Sequence, residues 1–269
     1  MKYKLFISDY DGTLGHAPQN DIDKETLSAI NKFIDKGGKF VVCSGRETTS
    51  ISRILKNSGL KGLVASFQGA RITDIESGEK ILDGGLDLEV ALDILNKVKG
   101  KELTAIAYGD NEIFIQEENM HTGFYKDAVQ VKSSVVDVEQ YLKTTKQKSP
   151  KICWVGEDNL VNETADILNE IYKGDGVKFN SGAKALLEAI NPAYSKGETV
   201  KFLSNYYSIP YEEIITVGDS TNDIDLLVGP WHGVAVGDGK ERLKEVADEI
   251  TVPFKDKPVK TLLEKYCLD

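Results

Sequence analysis

Cysteine is scarce in this chain: Cys43, Cys153 and Cys267 are the only three, an odd number without a C-x-x-C pair. A disulfide framework and a thiolate zinc site are therefore disfavoured, and a reducing cytoplasm is the expected compartment. A cysteine phosphatase needs C-x5-R, yet Thr49 stands six residues after Cys43 and Asn159 six after Cys153. Long apolar runs are missing as well, and nothing approaches the roughly 20 residues that cross a bilayer. The opening Met1-Lys2-Tyr3-Lys4 and Leu5-Phe6-Ile7 meet Asp9 too early for a signal peptide. The chain has no G-x-x-x-x-G-K-[ST] segment and no G-x-G-x-x-G. These gaps disfavour a P-loop nucleotidase and a nicotinamide dehydrogenase. Basic residues are the minority, 33 against 43 acidic ones, for a net charge of −10. That balance argues against sequence-independent nucleic-acid binding but leaves room for a small anionic substrate at a local site.

What is present is a folding chain. Of 269 residues, 41% are hydrophobic and 28% charged, enough for a buried core in one large domain or two small ones. Short apolar runs alternate with amphipathic stretches over the first 80 residues or so. Lys4–Ser8, Phe40–Cys43 and Leu63–Ala65 read as strands. Between them lie a helix bearing Leu27, Ile30, Phe33 and Ile34, capped by Asp21 or Asp23, and a helix bearing Ile51, Ile54 and Leu55. The same rhythm returns near the C-terminus, with strands at Ile214–Val217 and Gly233–Val236 and helices bearing Val200, Leu203 and Tyr207, then Val259, Leu262 and Leu263. Such alternation predicts an α/β fold: a Rossmann-like, doubly wound parallel-sheet core.

The middle differs. Leu103–Tyr108 and Glu112–Gln116 flank Gly109-Asp110-Asn111, a hairpin signal. Strands are expected at Val129–Val136 and Ile152–Gly156, with a helix between Asp158 and Gly174. This mixed segment reads as an inserted α+β cap domain over residues 84–186, leaving 1–83 and 187–269 as the core.

Polar residues cluster where the core strands end, the edge at which open α/β sheets bind ligands. The first strand runs into Asp9-Tyr10-Asp11-Gly12-Thr13-Leu14, the second into Ser44-Gly45-Arg46, and the strand at 214–217 into Gly218-Asp219-Ser220-Thr221-Asn222-Asp223. Each segment alone is consistent with an ordinary turn or helix cap, and Lys196 alone with a solvated lysine. Together, Asp9, Asp219, Asp223 and the Asp11 carbonyl make an all-oxygen set suited to Mg2+. Crowded carboxylates raise one another's pKa, and a divalent ion with Lys196 would offset that repulsion.

These motifs resemble the haloacid dehalogenase superfamily in its Cof-type branch. Asp9 to Leu14 resembles motif I, Ser44 motif II, Lys196 motif III, and Gly218-Asp219 with Asn222-Asp223 motif IV. The resemblance covers residues 1 to about 83 and about 187 to 269. It implies a Mg2+-dependent phosphatase of small phosphorylated metabolites, sugar phosphates among them, working through an aspartyl phosphate. Asp9 is the implied nucleophile and Asp11 the acid and then base. Tyr10, Ser44, Gly45, Lys196 and Asn222 are the implied phosphate-binding residues. Asp9, Asp11, Asp219 and Asp223 are the implied metal residues, with Asp223 either ligating or orienting Lys196 or a bound water. Arg46 either forms an ion pair behind the site or touches substrate.

The chain departs from the branch in three places. Gln68-Gly69-Ala70 replaces the usual Asn-Gly-Ala, Leu226-Leu227 replaces Met-Leu, and Gly237-Asp238-Gly239 replaces Gly-Asn-Ala. None removes a core catalytic group, and the first and third are placed to reshape the pocket rim. The rival reading is a sugar phosphomutase with the same nucleophile; a second is a sensor of phosphorylated ligands without turnover. The inserted domain is expected to close over the site as a lid, with His121, Lys126 and Lys184 as candidate substrate contacts or plain surface residues. The dispersed His16, His121 and His232 read as ordinary surface or core residues. Neither nucleic acid nor membrane is expected as a partner, and the chain is expected to be a monomer or weak homodimer.

Overall fold

The computed structural model describes residues 1–16 and 20–268. Its strands, in chain order, begin with β1 (Leu5–Ser8), β2 (Lys39–Cys43), β3 (Leu63–Ser66), β4 (Arg71–Asp74) and β5 (Lys80–Asp83). Next come β6 (Thr104–Tyr108), β7 (Glu112–Ile115), β8 (Lys132–Val135), β9 (Lys151–Val155), β10 (Lys178–Ala183) and β11 (Leu186–Ile190). The last three are β12 (Ile214–Gly218), β13 (His232–Ala235) and β14 (Glu249–Ile250). The main helices are α1 (Lys24–Asp35), α2 (Thr48–Asn57), α3 (Leu88–Val98), α4 (Met120–Val129), α5 (Val138–Thr145), α6 (Asp158–Ile171) and α7 (Lys196–Tyr207). No described helix is long and apolar enough to cross a membrane.

Two compact units result. One comprises Met1–Arg46, Ile51–Ile81 and Ser195–Asp269; the other comprises Leu82–Tyr194 with Glu47–Ser50. The expected return to the core at residue 187 falls inside β11, whose backbone pairs with β9 from Leu186↔Val155 to Ile190↔Lys151. Cutting there would strip a sheet of a hydrogen-bonded strand, so the second unit runs on to Tyr194.

The first unit is built on an eight-stranded sheet in the order β14-β13-β12-β1-β2-β3-β4-β5. β1 pairs in parallel with both β2 and β12, as the alternation of strands and helices requires. One edge departs from an all-parallel sheet: β4 returns antiparallel to β3, with Leu63 opposite Asp74. Phe6, Val42, Val64 and Ile215 pack with Ile30 and Phe33 of α1 and Ile51 and Leu55 of α2. Their neighbours Leu5, Ile7 and Val41 point to the opposite face and are also fully buried. A sheet covered on both faces explains why these strands read as unbroken apolar runs.

Asp23, not Asp21, caps α1: its carboxylate accepts from the Glu25 N–H at 3.0 Å and the Thr26 N–H at 3.1 Å. The helix ends at Gly37, whose φ of +91° suits a residue without a Cβ.

The second unit holds a six-stranded sheet in the order β10-β11-β9-β6-β7-β8. β6 and β7 form the expected hairpin, Tyr108 opposite Ile113. Ile94 and Val98 of α3, Leu142 of α5, and Val161 and Leu168 of α6 pack with Ala107, Ile152 and Trp154 of the sheet. The strand expected over Val129–Val136 is shorter, because α4 occupies its first residue. Asn119 caps that helix by accepting from the Thr122 N–H, and Gln130 terminates it in the left-handed conformation. α3, α4, α5, β10 and β11 had no counterpart in the sequence reading.

All three cysteines are free and buried. Burial pushes the Cys43 and Cys153 thiols up to about 12, which removes thiolate chemistry at neutral pH.

Burial opposes the Asp23 charge, but the Thr26 N–H, the Lys257 ammonium and the Glu25 N–H outweigh it and hold the carboxyl below its usual range. An acid with a depressed folded pKa stabilises above its unfolded pKa, and that stability is lost as pH falls through the folded pKa. Asp23→Ala should therefore lower stability by about 1 kcal/mol at pH 7. The gap from wild type should narrow below about pH 4 in denaturant titrations.

Candidate active site

The site begins where β1 stops. The Asp9 N–H still follows the sheet, donating to the Val217 carbonyl at 2.9 Å, while the next residues turn away from it. Gly12 makes the turn with φ +81°; a Cβ there would lie 2.6 Å from Asp219 Oδ2. Glycine thus lets the first loop approach the loop after β12. Thr13 fastens the two, its hydroxyl donating to Asp219 Oδ1 at 3.1 Å.

Asp9, Asp219 and Asp223 each offer a carboxylate oxygen within 4.8 Å of the others. Asp9 is 5% exposed and Asp223 is fully buried. Lys196, 1% exposed, donates from Nζ to Asp9 Oδ1 at 2.5 Å and to Asp223 Oδ1 at 2.6 Å. The other Asp223 oxygen accepts from the backbone N–H groups of Asp219 at 3.1 Å and Ser220 at 3.0 Å. This carboxylate therefore holds both the loop and the lysine.

Burial drives the Asp9 carboxyl upward, the Lys196 ammonium pulls it down, and Asp223 and Asp219 push it up again; the net direction is up. For Lys196, burial disfavours the charge, but attraction to Asp9 and Asp223 outweighs it and raises the pKa. Asp219 is pushed up to about 6, by burial first and by Asp223 second. One lysine thus leaves the trio of acids short of positive charge. A hard divalent cation fits this deficit and this all-oxygen donor set.

The sequence pairs Asp11 with Asp9, yet its side chain does something else. Arg46 grips the Asp11 carboxylate with two bonds, Nε to Oδ2 at 2.8 Å and Nη2 to Oδ1 at 2.6 Å. The Asp11 side chain is half-exposed and leaves only the main-chain carbonyl for a cation. Arg46 also donates to Asn20 Oδ1 at 2.8 Å and stacks 4.9 Å above the Tyr10 ring. Arg46 thus forms an ion pair with Asp11. Nothing in the sequence pattern singled out Asn20.

Tyr10 lies in the apolar core with its ring fully buried, so only its main chain remains for a phosphate. Ser44 is buried at the end of β2, and its Oγ accepts from the Arg46 N–H at 3.2 Å. Asn222 is exposed on the turn after β12.

The short turn Phe67–Gly69 after β3 links three parts of the site. The Phe67 N–H donates to the Arg46 carbonyl at 2.9 Å, and the Gln68 N–H to the Ser44 carbonyl at 3.0 Å. A Cβ on Gly69 would lie 2.6 Å from the Ser195 carbonyl, at the head of α7. This turn therefore joins the Ser44 segment to the helix that carries Lys196.

The candidate residues of the second unit form ordinary contacts. His121 meets Glu157 at 3.3 Å, Lys126 pairs with Glu118 at 2.7 Å, and Lys184 is exposed. His232 pairs with Glu249 and stacks on Tyr3, while His16 is exposed beside Phe254.

A family model described as haloacid dehalogenase-like hydrolase matches residues 6–263, and the chain belongs to that family. A Haemophilus influenzae protein is 24% identical over 266 residues, 98% of each chain. The HMP-PP phosphatase of Yersinia enterocolitica is 24% identical over 256 residues, 93% of this chain and 89% of that one. The crystal structure of a Thermotoga maritima protein matches with a TM-score of 0.87 at 26% identity, covering 99% of this chain and 100% of that one. The chain is accordingly a phosphoric monoester hydrolase of the haloacid dehalogenase type.

Removing one partner from a buried ion pair typically costs about 3–5 kcal/mol. Lys196→Ala should destabilise the metal-free protein on that scale, because it strands three neighbouring carboxylates. A divalent cation should raise its melting temperature with the logarithm of its concentration above the dissociation constant and recover part of the loss. Calorimetric melts with chelator and with Mg2+ check this.

Proposed function

We infer that the protein is a Mg2+-dependent phosphatase of small phosphorylated metabolites, sugar phosphates among them, with Asp9 as nucleophile. The observation that carries this reading is the meeting of Asp9, Asp219, Asp223 and Lys196 in one buried cluster. A sensor of phosphorylated ligands gains nothing from a nucleophile beside an acid, whereas covalent phosphoryl transfer with hydrolysis needs both.

Asp9 attacks phosphorus and forms an acyl phosphate while the ester oxygen departs as an alcohol. Asp11 gives that oxygen its proton, then removes one from the water that hydrolyses the acyl phosphate and restores Asp9. Asp11 becomes a carboxylate as it gives up its proton, and Arg46 then holds it by the two bonds seen here, oriented as the base of the second step. Lys196, the Ser44 hydroxyl, the Gly45 and Tyr10 main-chain N–H groups and Asn222 hold the equatorial oxygens, over which transition-state charge spreads. Asp9, Asp219 and the Asp11 carbonyl would hold Mg2+, with Asp223 as a fourth oxygen or as the anchor of Lys196, and the ion would supply positive charge beside the phosphoryl group. The inserted unit is assigned the choice of substrate.

Phosphate monoesters hydrolyse so slowly that enzymes accelerate them by up to about 10^21. No single group supplies that factor; nucleophile, acid, cation and oxyanion donors act together.

Three results are expected from a phosphate-release assay. Wild-type protein releases phosphate from a panel of sugar phosphates only with Mg2+, and chelation abolishes release reversibly. Asp9→Asn folds normally and shows no turnover; retained activity in the pure variant would refute the nucleophile. Asp11→Asn loses far more activity on alkyl phosphates than on p-nitrophenyl phosphate, whose leaving group needs little protonation. Equal losses on both would remove Asp11 as the acid.

A further inference from the structure

Gln68 sits beside the phosphate-binding segment in a conformation that costs the chain something. It and Phe67 are consecutive non-glycine residues with positive φ, +60° and +52°. Such backbone is unfavourable for an ordinary side chain and is found where the surroundings impose it, often at functional sites. Here the imposing bonds run from Phe67 to Arg46 and from Gln68 to Ser44.

The strained turn delivers the Gln68 carboxamide onto Gly45. A Cβ at residue 45 would lie 2.6 Å from Gln68 Nε2, so any larger residue there would displace the amide. Gln68 Oε1 is buried and has no hydrogen-bond partner among the described residues. A buried acceptor left unmade is rare in native structures and marks a group awaiting a ligand, an ion or a water.

The type of the orphan atom matters. A phosphoryl dianion offers only acceptors, so it cannot satisfy a carbonyl oxygen. The carboxamide has one acceptor whichever way it turns about its broad terminal torsion. A donor or a cation satisfies it, and of the groups a phosphate ester brings with it, only a hydroxyl of the alcohol part is a donor.

We propose that Gln68 is a specificity-determining residue whose carboxamide oxygen accepts a hydrogen bond from a hydroxyl of the substrate's alcohol part. It selects phosphate esters of polyols over esters of plain alcohols. The side chain swings from its orphaned position on Gly45 toward that hydroxyl as the ester enters. This assignment rests on the phosphatase reading and adds the residue that reads the alcohol.

The test compares kcat/KM for glycerol 3-phosphate and propyl phosphate, esters of the same carbon count with and without free hydroxyls. Wild type should favour glycerol 3-phosphate. In Gln68→Met, similar in length but without the acceptor, the ratio of the two values should fall about tenfold, the worth of one good hydrogen bond. Gln68→Asn keeps a carboxamide and should lie nearer wild type than Met does. A ratio unchanged in Gln68→Met overturns the proposal, even if both activities drop together as a structural defect would make them. Should Gln68→Met fail to fold, the wild-type comparison still decides, since equal kcat/KM for the two esters overturns the proposal alone. Absence of phosphate release from every ester by wild type would overturn the phosphatase reading, and this assignment with it.

Discussion

Lys196 sits between Asp9 and Asp223 with almost no water to screen any of the three. An ammonium at 2.5 and 2.6 Å from two carboxylates fixes their positions more tightly than packing alone could. Everything nearby answers to that triad. β1 and β12 must lie side by side, so that Asp9 and Asp223 can reach one lysine. α7 must start within a side chain's length of both, and the Gly12 turn must pass close over Asp219. Such an arrangement is weak evidence for stability, because desolvating several charges offsets much of their attraction. It is better understood as an arrangement that function requires and the rest of the core supports.

The supports are ordinary. A sheet buried on both faces holds the strand ends in place, and Asp9, Ser44 and Asp219 stand on the first residues beyond those ends. Asp223 turns its second oxygen to two backbone N–H groups and so anchors its own loop. Arg46 does the same for Asp11, with Asn20 and the Tyr10 ring fixing the guanidinium in turn. The turn at Phe67-Gln68-Gly69 joins the Ser44 segment to the head of α7 through backbone hydrogen bonds and a close approach that only glycine allows.

Much of this was legible in the sequence, for identifiable reasons. Continuous apolar runs announced the buried parallel strands, and polar residues directly after them announced the ligand edge. The pairing of Asp11 with Arg46 was not legible, because two residues 35 apart carry no local pattern that says which cation meets which acid. Asn20 gave no signal for the same reason. The left-handed backbone at Phe67 and Gln68 was hidden because neither residue type favours it; tertiary hydrogen bonds impose it. β4 and β5 were missed because Arg71-Ile72-Thr73-Asp74 and Lys80-Ile81-Leu82-Asp83 carry charged ends in place of a continuous apolar run. In the inserted unit, α4 shows no apolar stripe, with Met120 and Phe124 exposed and only Thr122 buried. Residue 187 looked like a boundary only because a turn at Lys184-Ala185 interrupts what is in fact a hairpin.

The central claim is that the buried Asp9 carboxylate carries the phosphoryl group during turnover. The direct measurement is to quench the enzyme in acid during steady-state hydrolysis, reduce with borohydride, digest with trypsin and sequence peptide Leu5–Lys24 by mass spectrometry. An acyl phosphate at Asp9 is reduced to homoserine, so the account predicts homoserine at residue 9 and unaltered aspartate at 11, 21 and 23. Homoserine at another residue, or none in protein quenched during active turnover, would contradict it.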